Sequence, residues 1–214
     1  MKNIVIIGAG DLGKEVVWLI EDINKVSPTY VILGFLDDDP SKIGGEFYGY
    51  KVLGTDDILE NLAKASNVAA IIAIQKGEVR KRIVEAHYGF KDWATISHPT
   101  AVLATTSHLG VGSIVFPHVT ISVDTRLGNH NLYYINSTIC NDCKVGDYVS
   151  VMSGASVSEH SEIGDECFLG AGCTVYPHKI LGSRVSVGVE ATVSKDYGDN
   201  TLVSERGTGF SLFK

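Results

Sequence analysis

Two groups of residues have the types and spacing to do chemistry. The first is Gly8-Ala9-Gly10-Asp11-Leu12-Gly13, which follows the apolar run Asn3 to Ile7 and precedes a helical pattern carrying Val16, Val17, Ile20 and Ile23. Strand, glycines and then helix is the arrangement that holds a phosphate. Gly8 permits the tight turn, Gly10 lets a ligand reach the backbone, and Gly13 lets the helix lie close to the strand. The helix start then offers unpaired N–H groups to an anion. The second group is Asp124, Asp142, His160 and His178, each 18 residues from the next. A carboxylate under an imidazole makes a general base, provided the chain brings residues 18 apart together. Otherwise the four decorate an exposed face.

The chain does wind that way. Every sixth residue from Leu103 to Val193 is apolar, Tyr133 being the one aromatic. A period of six belongs to a hexapeptide β-helix, in which each repeat forms one flat face of a triangular coil. Glycine follows the apolar residue at Gly110, Gly128, Gly146, Gly164 and Gly182, again 18 apart, so three repeats make a coil and these glycines stack on one edge. Four residues after each apolar position from Leu103 to Val187 comes a small or β-branched residue, except at Asn131 and Lys179. About five coils share one core, and stacking supplies the stability that a single coil lacks.

The first ninety residues read as two or three βα units of a small parallel sheet. Val31 to Leu36 is a second strand and ends in Asp37-Asp38-Asp39-Pro40. A carboxylate there suits a ribose or a base edge, and Asp37 or Asp38 is the candidate, with Asp39 closing the turn. Asp56 to Ala65 is helical, Val68 to Ile74 is a third strand with Gln75 at its end, and Glu78 to Tyr88 is a helix rich in Lys and Arg. Such a sheet is about half a full dinucleotide fold, enough for one nucleotide and short for NAD. The boundaries expected are 1–93 for this α/β Rossmann-like domain and 94–214 for the β-helix. His98, opening the first coil, is expected to be structural.

Composition narrows the partners. The net charge of −7 argues against nucleic acid. No apolar run approaches the roughly 18 residues of a membrane span, and the N-terminus does not read as a signal peptide, so cytoplasm is the expected location. Cys140 and Cys143 form a CxxC. However, Cys143, Cys167 and Cys173 fall in the small-residue slot of the repeat, so they read as packing residues, with no metal site expected.

Several segments resemble one family: Gly8-Ala9-Gly10 with Gly13-Lys14-Glu15, Gly34-Phe35-Leu36-Asp37-Asp38-Asp39-Pro40, Gly49-Tyr50 with Val52-Leu53-Gly54, Ile72-Ala73-Ile74, His98-Pro99-Thr100-Ala101, and Ile163-Gly164 to Gly170-Ala171-Gly172. The layout is that of the sialic acid O-acetyltransferase and bacillosamine N-acetyltransferase family, with a left-handed β-helix. The resemblance implies acetyl-CoA as donor, a nucleotide sugar as acceptor, and a homotrimer with active sites between neighbouring β-helices. By family position, Gly10, Asp11, Leu12, Asp37, Asp38 and Gln75 lie near the nucleotide sugar, and Ser150, Ala171 and Val189 near the CoA.

The chain departs from the family at its base. That residue is a histidine followed by an acid, and here the pair is Asn141-Asp142. An amide cannot take a proton near neutral pH. His160, one coil away over Asp142, is the substitute the register offers, so the catalytic candidates are Asn141, Asp142 and His160. Leu12 stands where the family often has His, and Ser204-Glu205-Arg206-Gly207-Thr208-Gly209-Phe210 replaces a Pro-Ala-Lys segment near the cofactor. The readings that follow are an acyltransferase acting on an amine or hydroxyl of a sugar, or a catalytically impaired relative that keeps the nucleotide pocket.

Overall fold

The computed structural model describes residues 1–204 and 209–211 of the 214-residue chain. The departure noted at Glu205, Arg206, Gly207 and Thr208 lies outside the described residues. The N-terminal part alternates strands and helices. These are β1 (Lys2–Ile7), α1 (Asp11–Val26), β2 (Tyr30–Leu36), β3 (Glu46–Phe47), β4 (Tyr50–Gly54), α2 (Leu59–Ser66), β5 (Val68–Ile72) and α3 (Gly77–Ala86). They form one sheet in the order β3-β4-β2-β1-β5. β1, β2, β4 and β5 run parallel, and β3 pairs antiparallel with β4.

Helices cover both faces of this sheet, which is why β5 reads as an unbroken apolar run and is buried along its whole length. Val5, Ile7, Leu59, Ile72 and Ile83 pack on the α2 and α3 side. On the other side Ile4, Ile6, Val16, Val17 and Ile20 belong to an apolar cluster that continues into the β-helix. The third predicted strand is two residues shorter than expected, because β5 ends at Ile72 and leaves Ala73 and Ile74 to line a cleft. The β3–β4 hairpin was not anticipated. Its turn residues Tyr48 and Gly49 both have positive φ (47° and 79°), as a two-residue hairpin turn requires.

From β6 (Ile96–Ser97) onward the chain winds into a left-handed parallel β-helix with three sheets. From Val102 to Val193 each strand is two residues long, and the apolar residue of each repeat is the second. Pairing runs in steps of 18, as in Thr120 with Thr138 and Thr138 with Ser156. The sixth-residue series is buried from Val115 to Val193, while Leu103 and Leu109 at the open end are half-buried. The coil extends past the series at both ends. Ile96 pairs with Ile114, and the last turn is two residues shorter, so that Ser186 pairs with Leu202. That shortening ends the six-residue register after Val193.

From Gly112 to Glu190 one residue in each repeat takes a left-handed conformation at the corner, among them Asp124, Asp142, His160 and His178 with φ of 57° to 58°. The stacked glycines are also explained. A Cβ at Gly110 would collide with the carbonyl of Gly128, and one at Gly128 would collide with Gly146. Asn131, an exception in the small-residue slot, is buried but fully bonded. Its Nδ2 donates to the carbonyls of Gly128 (3.1 Å) and Gly146 (2.9 Å) and to the hydroxyl of Tyr133 (3.1 Å), and its Oδ1 accepts from the Val149 N–H (2.7 Å). Two of the irregular members of the repeat, Asn131 and Tyr133, therefore satisfy one another. Cys143, Cys167 and Cys173 are buried, free thiols, and burial pushes Cys143 up to about 11. Among the described residues no cluster of His, Cys, Asp or Glu is arranged to hold a metal ion, and no helix is long and apolar enough to cross a membrane.

Candidate functional site

A cleft of about 380 Å³ opens at the C-terminal ends of β1, β2 and β5. The glycine turn forms its wall, and each glycine has a separate reason. Gly8 has φ +110°, and a Cβ there would meet the Ala73 carbonyl at 2.8 Å. Gly13 allows α1 to lie against the Gly8 carbonyl and Phe35. Gly10 has no atom within 4 Å of where its Cβ would be, so the backbone before α1 is open to a ligand. Gly10 caps α1 without any side-chain hydrogen bond, leaving the first N–H groups free for an anion.

The structure separates the two candidate aspartates. Asp37 accepts from the Ala9 N–H (2.7 Å) and from Lys42 Nζ (3.0 Å), and its other oxygen accepts from the Asp39 N–H (3.0 Å). Asp37 thus borders the cleft with its carboxylate committed to the glycine turn. Asp38 lines the cleft, where burial, with Asp56 and Asp37 nearby, raises its carboxyl above the usual range. Asp39 holds Ser41 in the turn, as expected. Asp11 and Leu12 line the mouth, with the Asp11 carboxylate in solvent against Lys14 (3.0 Å) and Leu12 packed on the core. Lys42, which also donates to the Ala9 carbonyl (3.0 Å), puts a cation into the cleft that the sequence did not point to.

Gln75 links this cleft to the β-helix. Its carbonyl accepts from Ser150 Oγ (2.7 Å) and Arg80 Nη1 (2.6 Å), and its side-chain amide lies 3.1 Å from the Met152 sulfur. Ser150, expected near the CoA, is buried, with its hydroxyl engaged inside this junction. Ala171 and Val189 stand one coil apart on the next corner, where the Glu190 N–H donates to the Ala171 carbonyl (2.8 Å). A Cβ at Gly172 would meet only Glu190 Cγ, at 3.4 Å, so the main chain is accessible there. The domains also meet where Tyr134 donates to the Glu15 carboxylate and where His98 faces Asp22 at 3.2 Å.

The column predicted by the 18-residue step is present. The His160 and His178 rings stack at 4.8 Å, 7° from parallel, and His160 Nδ1 lies 4.0 Å from Asp142 Oδ2. That separation is beyond a hydrogen bond. The same Oδ2 instead accepts from Asn141 Nδ2 at 2.7 Å. Both His160 and Asp142 are about half exposed. Their corner joins the two sheets that the N-terminal domain does not cover, so it lies across the coil from the cleft. Within one chain the two sites do not meet.

Residues 3–87 match the PglD N-terminal domain family. No curated protein sequence matches the chain. Solved structures resemble it over its whole length. The acetyltransferase domain of PglB from Neisseria gonorrhoeae, in complex with acetyl coenzyme A, is 28% identical, with a TM-score of 0.87 over 99% of each chain. A histidine-to-asparagine mutant of perosamine N-acetyltransferase from Caulobacter crescentus, in complex with CoA and GDP-perosamine, is 24% identical. Its TM-score is 0.88, over 99% of this chain and 98% of that one. WeeI from Acinetobacter baumannii is 24% identical, with a TM-score of 0.76 over 98% of this chain and 100% of that one. The sheet order, the glycine cleft and the coil behind them agree with these likenesses: residues 3–87 match the PglD N-terminal domain, and the whole chain shares its fold with these acetyltransferase structures.

Proposed function

We propose that the chain transfers an acetyl group from acetyl-CoA to an amine or hydroxyl of a nucleotide sugar, as a cytoplasmic enzyme of surface-glycan or sugar biosynthesis. The observation that carries this reading is the cleft itself. An open glycine turn, free helix N–H groups, Lys42 and Asp38 converge on one space of nucleotide size. The N–H groups and Lys42 suit a diphosphate, and Asp38 suits a ribose or base edge. The open main chain at Ala171 and Val189 suits the amide-rich arm of CoA. In the reaction the acceptor nitrogen or oxygen bonds to the thioester carbonyl carbon, the C–S bond breaks, and CoA leaves as its thiolate. The acceptor's proton passes to a base.

His160 is the base the corner offers, with Asp142 behind it and Asn141 orienting Asp142. Because that corner lies across the coil from the cleft, the assembly proposed is a homotrimer in which the cleft of one chain faces the partner subunit's His160. One observation favours a second reading, an impaired relative: Asn141 stands at the family's histidine position and occupies the carboxylate oxygen nearest His160.

The test follows CoA thiol release with acetyl-CoA and a panel of UDP-, GDP- and dTDP-amino sugars. Wild type, His160→Ala and Asn141→His are run together. Loss of about 10²–10⁴-fold in His160→Ala supports the substitute base. A silent wild type with activity in Asn141→His supports the impaired reading. Full activity in His160→Ala removes His160 from the mechanism.

A further inference from the structure

We propose that Arg80 is a positioning residue that fixes the nucleotide cleft against the β-helix, so that an acceptor held in one meets a donor laid along the other. The inference rests on the transfer reaction proposed above. Arg80 lies on α3 between charged neighbours, yet only 2% of its surface is exposed. None of its hydrogen-bond partners is a carboxylate. Nε donates to the His130 carbonyl (2.8 Å), and Nη1 donates to the carbonyls of Ile74 (2.9 Å) and Gln75 (2.6 Å). Nη2 donates to the carbonyls of Tyr148 (2.7 Å) and Val149 (3.1 Å) and to Ser150 Oγ (3.1 Å).

A buried cation without a counter-ion is expensive, and an apolar side chain would seal the same junction at lower cost. What the guanidinium adds is direction. Its planar fork fits one arrangement of acceptors, where a flexible ammonium fits many. Here those acceptors divide between the two domains. Ile74 and Gln75 line the nucleotide cleft, and His130, Tyr148, Val149 and Ser150 belong to successive coils. The contact is tight around it. A Cβ at Gly77 would collide with the Tyr148 carbonyl, and Lys81 pairs with Glu166 at 2.8 Å. Any shift of Arg80 therefore moves the cleft floor relative to the corner that carries Met152 and Ala171.

Arg80→Met and Arg80→Lys are compared with wild type in steady-state transfer, below the melting temperature of each protein, and nucleotide binding is measured by calorimetry. The cleft's own residues remain in Arg80→Met. Nucleotide Kd and the acetyl-CoA KM should therefore stay within about 3-fold, while kcat falls about 100-fold, the usual effect of a misplacement near 1 Å. Arg80→Lys should recover part of that loss. An Arg80→Met protein that melts earlier but keeps its kcat overturns the proposal.

If wild type transfers nothing, the reaction reading fails by itself, and the brace is judged by distance. Spin labels at Glu60→Cys and Arg126→Cys, in a Cys140→Ser background, should give a narrow distribution that broadens in Arg80→Met while circular dichroism stays native. An unchanged distribution refutes the brace.

Discussion

Replacing Gly10 and Gly13 by alanine should produce opposite outcomes, although both glycines belong to one short turn. Gly10 has φ −134° and ψ −166°, an extended conformation open to any residue, and its Cβ would meet nothing within 4 Å. Gly10→Ala should leave stability unchanged or raise it by up to about 1 kcal/mol, through the smaller entropy of the unfolded chain. The new methyl group would stand in the cleft where a phosphate approaches the first N–H groups of α1. Nucleotide-sugar affinity should therefore fall at least about 10-fold, or roughly 1.4 kcal/mol. Gly13 lies inside α1, where alanine is ordinarily favoured by about 1 kcal/mol. Its Cβ would collide with the Gly8 carbonyl and lie 3.1 Å from the buried Phe35 ring. Overpacking of that kind costs about 1–3 kcal/mol, so the net effect should be a loss of up to about 2 kcal/mol. That corresponds to a drop of up to about 8 °C in melting temperature for a chain of this size. Urea unfolding followed by circular dichroism measures the first quantity, and calorimetry with a GDP- or UDP-sugar the second. A Gly10→Ala protein that binds as tightly as wild type, or a Gly13→Ala protein more stable than wild type, would refute this account of the turn.

The coil interior supplies two further tests. Asn131→Val should lose about 3 kcal/mol by leaving the Val149 N–H and two carbonyls without their partner. In a double-mutant cycle with Tyr133→Phe, denaturation should show a coupling of about 1 kcal/mol, and strict additivity would mean that the two residues do not depend on one another. His130 is buried beneath Trp93 and Tyr148, and burial, with Arg80 nearby, lowers its imidazole to about 4. An unfolded histidine takes a proton near 6.5, so the unfolded chain binds more protons between these values. Stability should therefore be fully present above about pH 6.5 and fall as the pH drops towards 4, by about 3 kcal/mol at most. His130→Asn tolerates the same left-handed backbone (φ 54°) and should flatten that slope. An unchanged slope assigns the acid sensitivity to other groups.

Legibility in this chain follows from how each contact is made. The β-helix can be read because its neighbours in space lie a fixed 18 residues apart, so periodicity turns sequence into position. The same step placed His160 over Asp142. It did not show that Asn141 would take the carboxylate oxygen between them, because that depends on side-chain rotamers at an exposed corner. In the N-terminal domain the glycine turn was legible through backbone needs that only glycine meets. Asp37 and Asp38 were not distinguishable there, since both line the cleft and no pattern says which one the Ala9 N–H and Lys42 engage. The β3–β4 hairpin was missed because its edge strand β3 has only two residues, too few to show alternation. Arg80 lies beyond the reach of the repeat. Beside Lys81 and Arg82 it reads as one more solvated charge on a helix rich in Lys and Arg, yet its partners on the β-helix lie 50 to 70 residues away at separations that follow no repeat. The six-residue ruler measures distance only within the solenoid. Where the coil meets a domain of another kind, directional hydrogen bonds set the geometry, and those bonds leave no period in the sequence.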